Sequence, residues 1–250
     1  MKWRLLVRLF FIQALWNYRT LLGSGLAWAL LPALRRFRAT EEDELRNAIG
    51  RHAEHFNAHP YLAGFAVGAL AGMERDEVDQ EVIRRFREVV RGPLGSLGDR
   101  LVWSAWLPTC VLLSGGLVLL GLPPLWGVAV FLVIFNLLHL ALRWWGITAG
   151  LALGKGVGEA LGRARLPIWA ERVGRAGVLL LGLVAGLVLA TGVRPSEPAL
   201  HVGPTGLLVA AGLLLFIAGV RREQRAWWWT PALTLGAVTG VFLWGILWVA

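Results

Sequence analysis

The chain has 250 residues, 56% hydrophobic and only 16% charged, with a formal net charge of +9. A soluble domain carries about a quarter charged residues, so this balance excludes an ordinary soluble protein and points to an integral membrane protein. The basic residues flank apolar runs, which assigns the positive charge to topology and anionic lipid rather than to nucleic acid. The single cysteine, Cys110, lies inside an apolar run and excludes a disulfide framework or thiol pair.

In chain order, residues 3–34 are apolar but interrupted by Arg4, Arg8, Gln13, Asn17 and Arg19. That mixture predicts a helix lying in the membrane interface, with Trp3, Trp16 and Trp28 at headgroup depth. The first residues imitate a signal peptide but lack a small-residue cleavage site, so the segment is expected to be retained. Thr40 before "EEDE" is a predicted N-cap. From there Leu45, Ile49, His52 and Phe56 recur at helical spacing, and Pro60 is expected to end the helix. "YLAGFAVGALAGM", 61–73, is apolar but too short to span; it predicts a re-entrant hairpin or half-helix packed against protein. Residues 74–90 predict an amphipathic helix with Val78, Val82, Phe86 and Val90 on one side. Gly92, Pro93, Gly95 and Gly98 then predict a tight, irregular turn that leads to Asp99 and Arg100.

Beyond residue 100 the charge vanishes for long stretches. The runs 101–121, 122–142, 176–193, 202–220 and 227–250 carry no charged residue and make five candidate spans. The expected fold is all-α and polytopic: an interfacial and re-entrant helical region over 1–100, and a transmembrane region over 101–250. If the spans alternate, every Lys and Arg except Arg194 falls on one side. The positive-inside rule then places 1–100 in the cytoplasm and the C-terminus outside.

Candidate chemistry is sparse. His52, His55 and His59 fall at i, i+3 and i+7, a spacing that would bring three imidazoles to one helix face, with Glu54 among them. "HAEH" is not HExxH, no acidic ligand follows at the right spacing, and Pro60 interrupts; a polar helix edge is the expected reading, with no metal and no cofactor. "GLALGKGVGEALG", 150–162, matches neither a P-loop nor GxGxxG. "WWWT", 227–230, is expected to anchor the start of the last span at the interface. Arg143 beside Trp144 and Trp145 is expected to be an interfacial anchor. Asp99 either pairs with Arg100 or Arg143 or faces a polar path. Asn57 is either a turn residue or an amide presented to a membrane cavity, and amides and carboxylates suit a sugar, whose hydroxyls both donate and accept hydrogen bonds.

Four segments in order resemble the IID membrane component of the mannose/fructose/sorbose family of bacterial sugar phosphotransferase systems. They are "FIQALWNY" (11–18), "RHAEHFNAHPYLAGFAVGALAGME" (51–74), "GPLGSLGDRLVW" (92–103) and "FNLLHLALRWWG" (135–146). The resemblance implies a multi-pass protein of the bacterial cytoplasmic membrane that pairs with a IIC subunit in a hetero-oligomer. The two together would conduct a mannose-type hexose, phosphorylated as it enters by a separate IIAB protein; the IID chain itself would be non-catalytic. On that basis Asn57 and Asp99 are expected to bind substrate. Trp16, Asn17, His59, Pro60, Gly92, Pro93, Gly95, Gly98 and Arg143 are expected to hold the structure or the IIC interface. The sequence departs from the family pattern at His55, at Val89 and Arg91, and at Leu107, where the family has an arginine. A second reading therefore stays open: a structural or regulatory membrane partner that keeps the fold without conducting sugar.

Overall fold

The computed structural model describes residues 1–38 and 42–192. Every regular element among them is helical, with two isolated β-bridges, Asn17 with Leu21 and Leu21 with Phe56. Residues 1–181 form one compact unit, and 182–250 are assigned to a second. The predicted N-cap Thr40 and the candidate spans at 202–220 and 227–250, including "WWWT", lie outside the described residues.

Two helices, not one, occupy the first apolar stretch: α1, Lys2–Leu9, and α2, Gly23–Phe37. Amphipathic α1 buries Leu5, Leu6 and Leu9, while Trp3 is exposed. The chain between them turns because Asn17 hydrogen-bonds its neighbours in place of a helix ladder. Its Oδ1 accepts from the backbone of Arg19 and Thr20, and its Nδ2 donates to the Thr20 hydroxyl at 2.8 Å. Such Asx geometry competes with helix.

Helix α3, Glu42–Ala53, stops seven residues before Pro60, which corrects the expected boundary and takes His55 and His59 off the helix. Phe56 is drawn away instead: its backbone bonds to Thr20 O and Leu22 N across the turn, and its ring is fully buried. Arg87 satisfies the freed end of α3, donating to the Glu54 carbonyl at 3.0 Å and to the Glu54 carboxylate.

The half-helix expected at 61–73 is α4, Ala63–Arg75, buried along nearly its whole length. It packs against α7, Pro124–Leu153, backbone on backbone. A Cβ added at Gly68 would lie 2.5 Å from the Ile147 carbonyl, and one at Gly150 would lie 2.5 Å from Ala69 N. Small residues permit this approach, as they do between membrane helices. Glu74, at the end of α4, is wholly buried and receives Arg38 at 2.9 Å, Arg51 at 2.6 Å and His52 Nε2 at 2.8 Å. This ties α2, α3 and α4 together at one end.

The turn expected at 92–98 does not exist. Helix α5, Gln80–Gly98, runs through it, continues as a π-helical stretch, Asp99–Trp106, and then as α6, Leu107–Leu119. None of the glycines here needs a positive φ, so the helix runs through them in ordinary right-handed geometry. Pro108 cannot donate to Ser104, and its ring crowds that carbonyl; a widened π-turn just upstream accommodates it. The buried face of α5 is Ile83, Arg87, Val90 and Leu94, displaced from the expected one: Val78 precedes the helix and Val82 is exposed.

Two helical stretches are long and apolar enough to cross a membrane, Gln80–Leu119 and Pro124–Val188. The second is interrupted by a 3-10 turn, Gly154–Gly156, and by a left-handed Arg165 between α8, Val157–Ala164, and α9, Leu166–Gly192. The charge-free run 101–121 holds most of the π-helical stretch and α6, the run 122–142 holds the first part of α7, and the described part of the run 176–193 lies in α9.

Candidate functional site

A cleft of about 180 Å³ opens where three segments meet: the turn after α1, the stretch before α4, and the α5–π junction. It gathers Trp16, Asn57, His59, Pro60, Gly95 and Asp99 from the sequence reading, together with Gln13, Leu22 and Ala58, which that reading did not single out. Gln13 was legible only as a polar break in an apolar run.

Asn57 and Asp99 are both exposed in the cleft, and neither side chain has a hydrogen-bond partner among the described residues. Asp99 pairs with neither Arg100 nor Arg143 there, so the alternative of a structural ion pair is not realised among the described residues. A carboxylate and an amide facing one small cleft, with the Trp16 ring in its lining, offer acceptors, a donor and an aromatic surface to one small polar molecule.

His59 anchors the segment 57–60. The His59 amide donates to Leu94 O at 3.4 Å, and the His59 carbonyl accepts from Ala63 N at 2.9 Å, capping the turn into α4. Pro60 suits that first turn, where no N–H is needed. His59 Nδ1 accepts from the Tyr61 amide, which leaves Nε2 as the protonated nitrogen; it is buried and without a partner among the described residues. Gly98 lies directly under the His59 ring, where any Cβ would overlap it. Gly92 and Gly95 have open space in the Cβ direction, so of these three glycines Gly98 alone is in close contact. Gly95 lines the cleft, whereas Pro93 faces a separate groove beside α8.

Arg143 is no interfacial anchor. It is buried in α7, donates to the Leu9 carbonyl, and lies over the rings of Phe10 at 4.8 Å and Tyr61 at 5.4 Å. Tyr61 stacks on His139 at 3.9 Å and meets His59 edge-on at 5.1 Å. This aromatic cluster backs the cleft. Its signal in the sequence was the Phe135, His139, Arg143 spacing on one face of α7.

The three clustered histidines part company. His52 binds Glu74, His55 accepts from Arg91 at 3.1 Å, and His59 packs over Gly98 of α5. No group of three potential metal ligands occurs among the described residues.

Residues 1–194 match the family described as "PTS system mannose/fructose/sorbose family IID component". The chain belongs to this family. Among curated relatives, it is 28% identical over 175 residues to the mannose-specific EIID component of Escherichia coli K12, covering 68% of this chain and 61% of that one. It is likewise 28% identical over 177 residues to the sorbose-specific EIID component of Klebsiella pneumoniae, covering 69% and 64%. The match thus spans less than two thirds of the length of these curated relatives. The fold is similar to a chain of the mannose transporter ManYZ in complex with microcin E492, at TM-score 0.58 and 22% identity over 98% of this chain and 94% of that one. A second structure, described as a membrane protein, gives a TM-score of 0.65 at 22% identity, over 97% and 96%.

Proposed function

We propose that the chain is the IID subunit of a sugar permease of the phosphotransferase system. It forms, with a IIC subunit, the route for a mannose-type hexose that a separate IIAB protein phosphorylates as it enters. The chain itself performs no catalysis. The observation that carries this reading is the cleft in which Asn57 and Asp99 stand unpartnered over the α5–π junction. Irregular backbone and free polar side chains persist at membrane depth only where protein or a cavity satisfies them.

In this reading the protein is multi-pass in the bacterial cytoplasmic membrane, with five spans after residue 100 and the first hundred residues on the cytoplasmic side. Residues 1–100 and 101–250 then differ in environment, although the helix Gln80–Leu119 joins them without a break. Leu107 in place of the family's arginine favours a second reading, in which the fold assembles with IIC but conducts no sugar. Deleting the gene and measuring uptake of labelled mannose, with IIC and IIAB still expressed, separates the two. Loss of uptake, restored by the chain, supports transport. Unchanged uptake alongside normal assembly supports the second reading.

A further inference from the structure

A groove of about 550 Å³ lies between α5 and the α8–α9 segment, away from the cleft. Its walls are apolar: Phe86, Val90, Pro93 and Leu97 on one side, Leu161 and Ile168 on the other. Lys155 and Arg165 complete the lining, no acidic residue joins them, and neither cation forms an ion pair among the described residues. The size falls in the range of small-ligand sites, about 300–1,000 Å³.

Two features of the backbone point to occupancy by a ligand with a charged head. Arg165 closes α8 in the left-handed conformation, φ 49°, a cap position that glycine fills at lower cost. The left-handed turn ends α8 with Arg165 in the lining of the groove. Gly158 and Gly162 line the groove and have open space where a Cβ would stand, which keeps the apolar channel clear. The groove also sits at the ends of the apolar helices. Lys155 follows the end of α7, α5 leads into the first charge-free run, and α9 begins at Leu166.

We propose that this groove binds an anionic glycerophospholipid, with an acyl chain along the apolar walls and its phosphate held by Lys155 and Arg165. The proposal rests on the membrane reading of the chain and not on sugar transport. The charge complement selects the occupant: two cations without an ion-pair partner among the described residues, in the lining of an apolar groove, fit a lipid anion, and each basic residue near a membrane surface adds attraction for anionic lipid.

The full chain, purified from vesicles of equal phosphatidylglycerol and phosphatidylcholine, tests this by native mass spectrometry of the lipid it retains. The wild type should retain phosphatidylglycerol in preference. The double variant Lys155→Gln with Arg165→Gly should lose that preference by about tenfold. Glycine suits the left-handed position, so this variant should fold at least as well. Gly158→Leu with Gly162→Leu, which fills the groove while favouring helix, should lower retention of both lipids. Retention in the vesicle ratio by the wild type, or retention indifferent to both variants, would overturn the proposal. So would loss of a co-purifying protein chain in the groove-filled variant with lipid retention unchanged, which would assign the groove to a protein partner.

Discussion

Glu74 and His52 form the most consequential pair of side chains outside the cleft. Burial pushes the Glu74 carboxyl up, but hydrogen bonds from His52 and Arg51, with their charge, hold it down at about 2. Burial pushes the His52 imidazole below its ordinary value of 6.5, against the hydrogen bond to Glu74, and Arg87 and Arg51 repel a further proton. Both groups therefore bind protons more readily in the unfolded chain, so acid destabilises the fold. The His52 contribution is present above pH 6.5 and lost as pH falls below it; the Glu74 contribution is present above about 4.5 and lost between there and about 2. Thermal unfolding in detergent should show the midpoint falling below pH 6.5, and His52→Gln should flatten the first part of that fall. A midpoint independent of pH down to 4 would contradict the assignment. Glu74→Gln, which leaves the buried Arg51 without a counter-charge, should cost about 3–5 kcal/mol. Nothing in the sequence announced this network, because a carboxylate at the end of an apolar run looks like a helix end. Asn17 was legible as important, but as an interface residue. Its bonds within the turn make Asn17→Ala a stability variant, costing about 1–2 kcal/mol from hydrogen bonds worth about 0.5–1.5 kcal/mol each.

Among the elements, α4 was the most legible: a short run of small apolar residues could only be buried against protein, and it is. Its partner was not legible, because helix pairing depends on which glycine faces meet in space. The structure identifies them, and the consequence is measurable. Gly68→Ala or Gly150→Ala places a methyl within 2.5 Å of the facing backbone and should cost about 1–3 kcal/mol. Gly158→Ala, with open space around it, should be neutral or stabilising. Equal unfolding midpoints for all three would contradict the packing. The 92–98 segment misled for the opposite reason. Glycine and proline are turn residues by local preference, yet at Gly98 the glycine serves close packing under His59 while the helix continues. Tertiary contact overrode propensity there, as Phe56 pairing did when it ended α3 early.

At the scale of the molecule, helical class and membrane character followed from charge-free runs, and membership of the IID family followed from four segments in order. The cleft was legible residue by residue: Asn57, Asp99, Trp16 and His59 do come together. Its backing cluster around Tyr61 and Arg143 was not, since that required knowing that α1, α4 and α7 converge. Topology remains a proposal with a direct check. With Cys110 changed to Ser, a cysteine at the exposed position Asp43 should react with an impermeant reagent only from the cytoplasmic side, and one at Pro123 only from outside. The reverse pattern would invert the orientation.

The central claim is that the cleft lies on the sugar route, and Asn57 tests it most directly because its side chain supports nothing else among the described residues. Uptake of labelled mannose is measured for wild type and Asn57→Ala, each co-expressed with IIC and IIAB, alongside co-purification of IIC. Loss of one or two hydrogen bonds to the sugar, at about 0.5–1.5 kcal/mol each, predicts uptake reduced by about tenfold with IIC recovered in normal amount. Normal uptake by Asn57→Ala, in a complex whose wild type transports, would remove the cleft from the route.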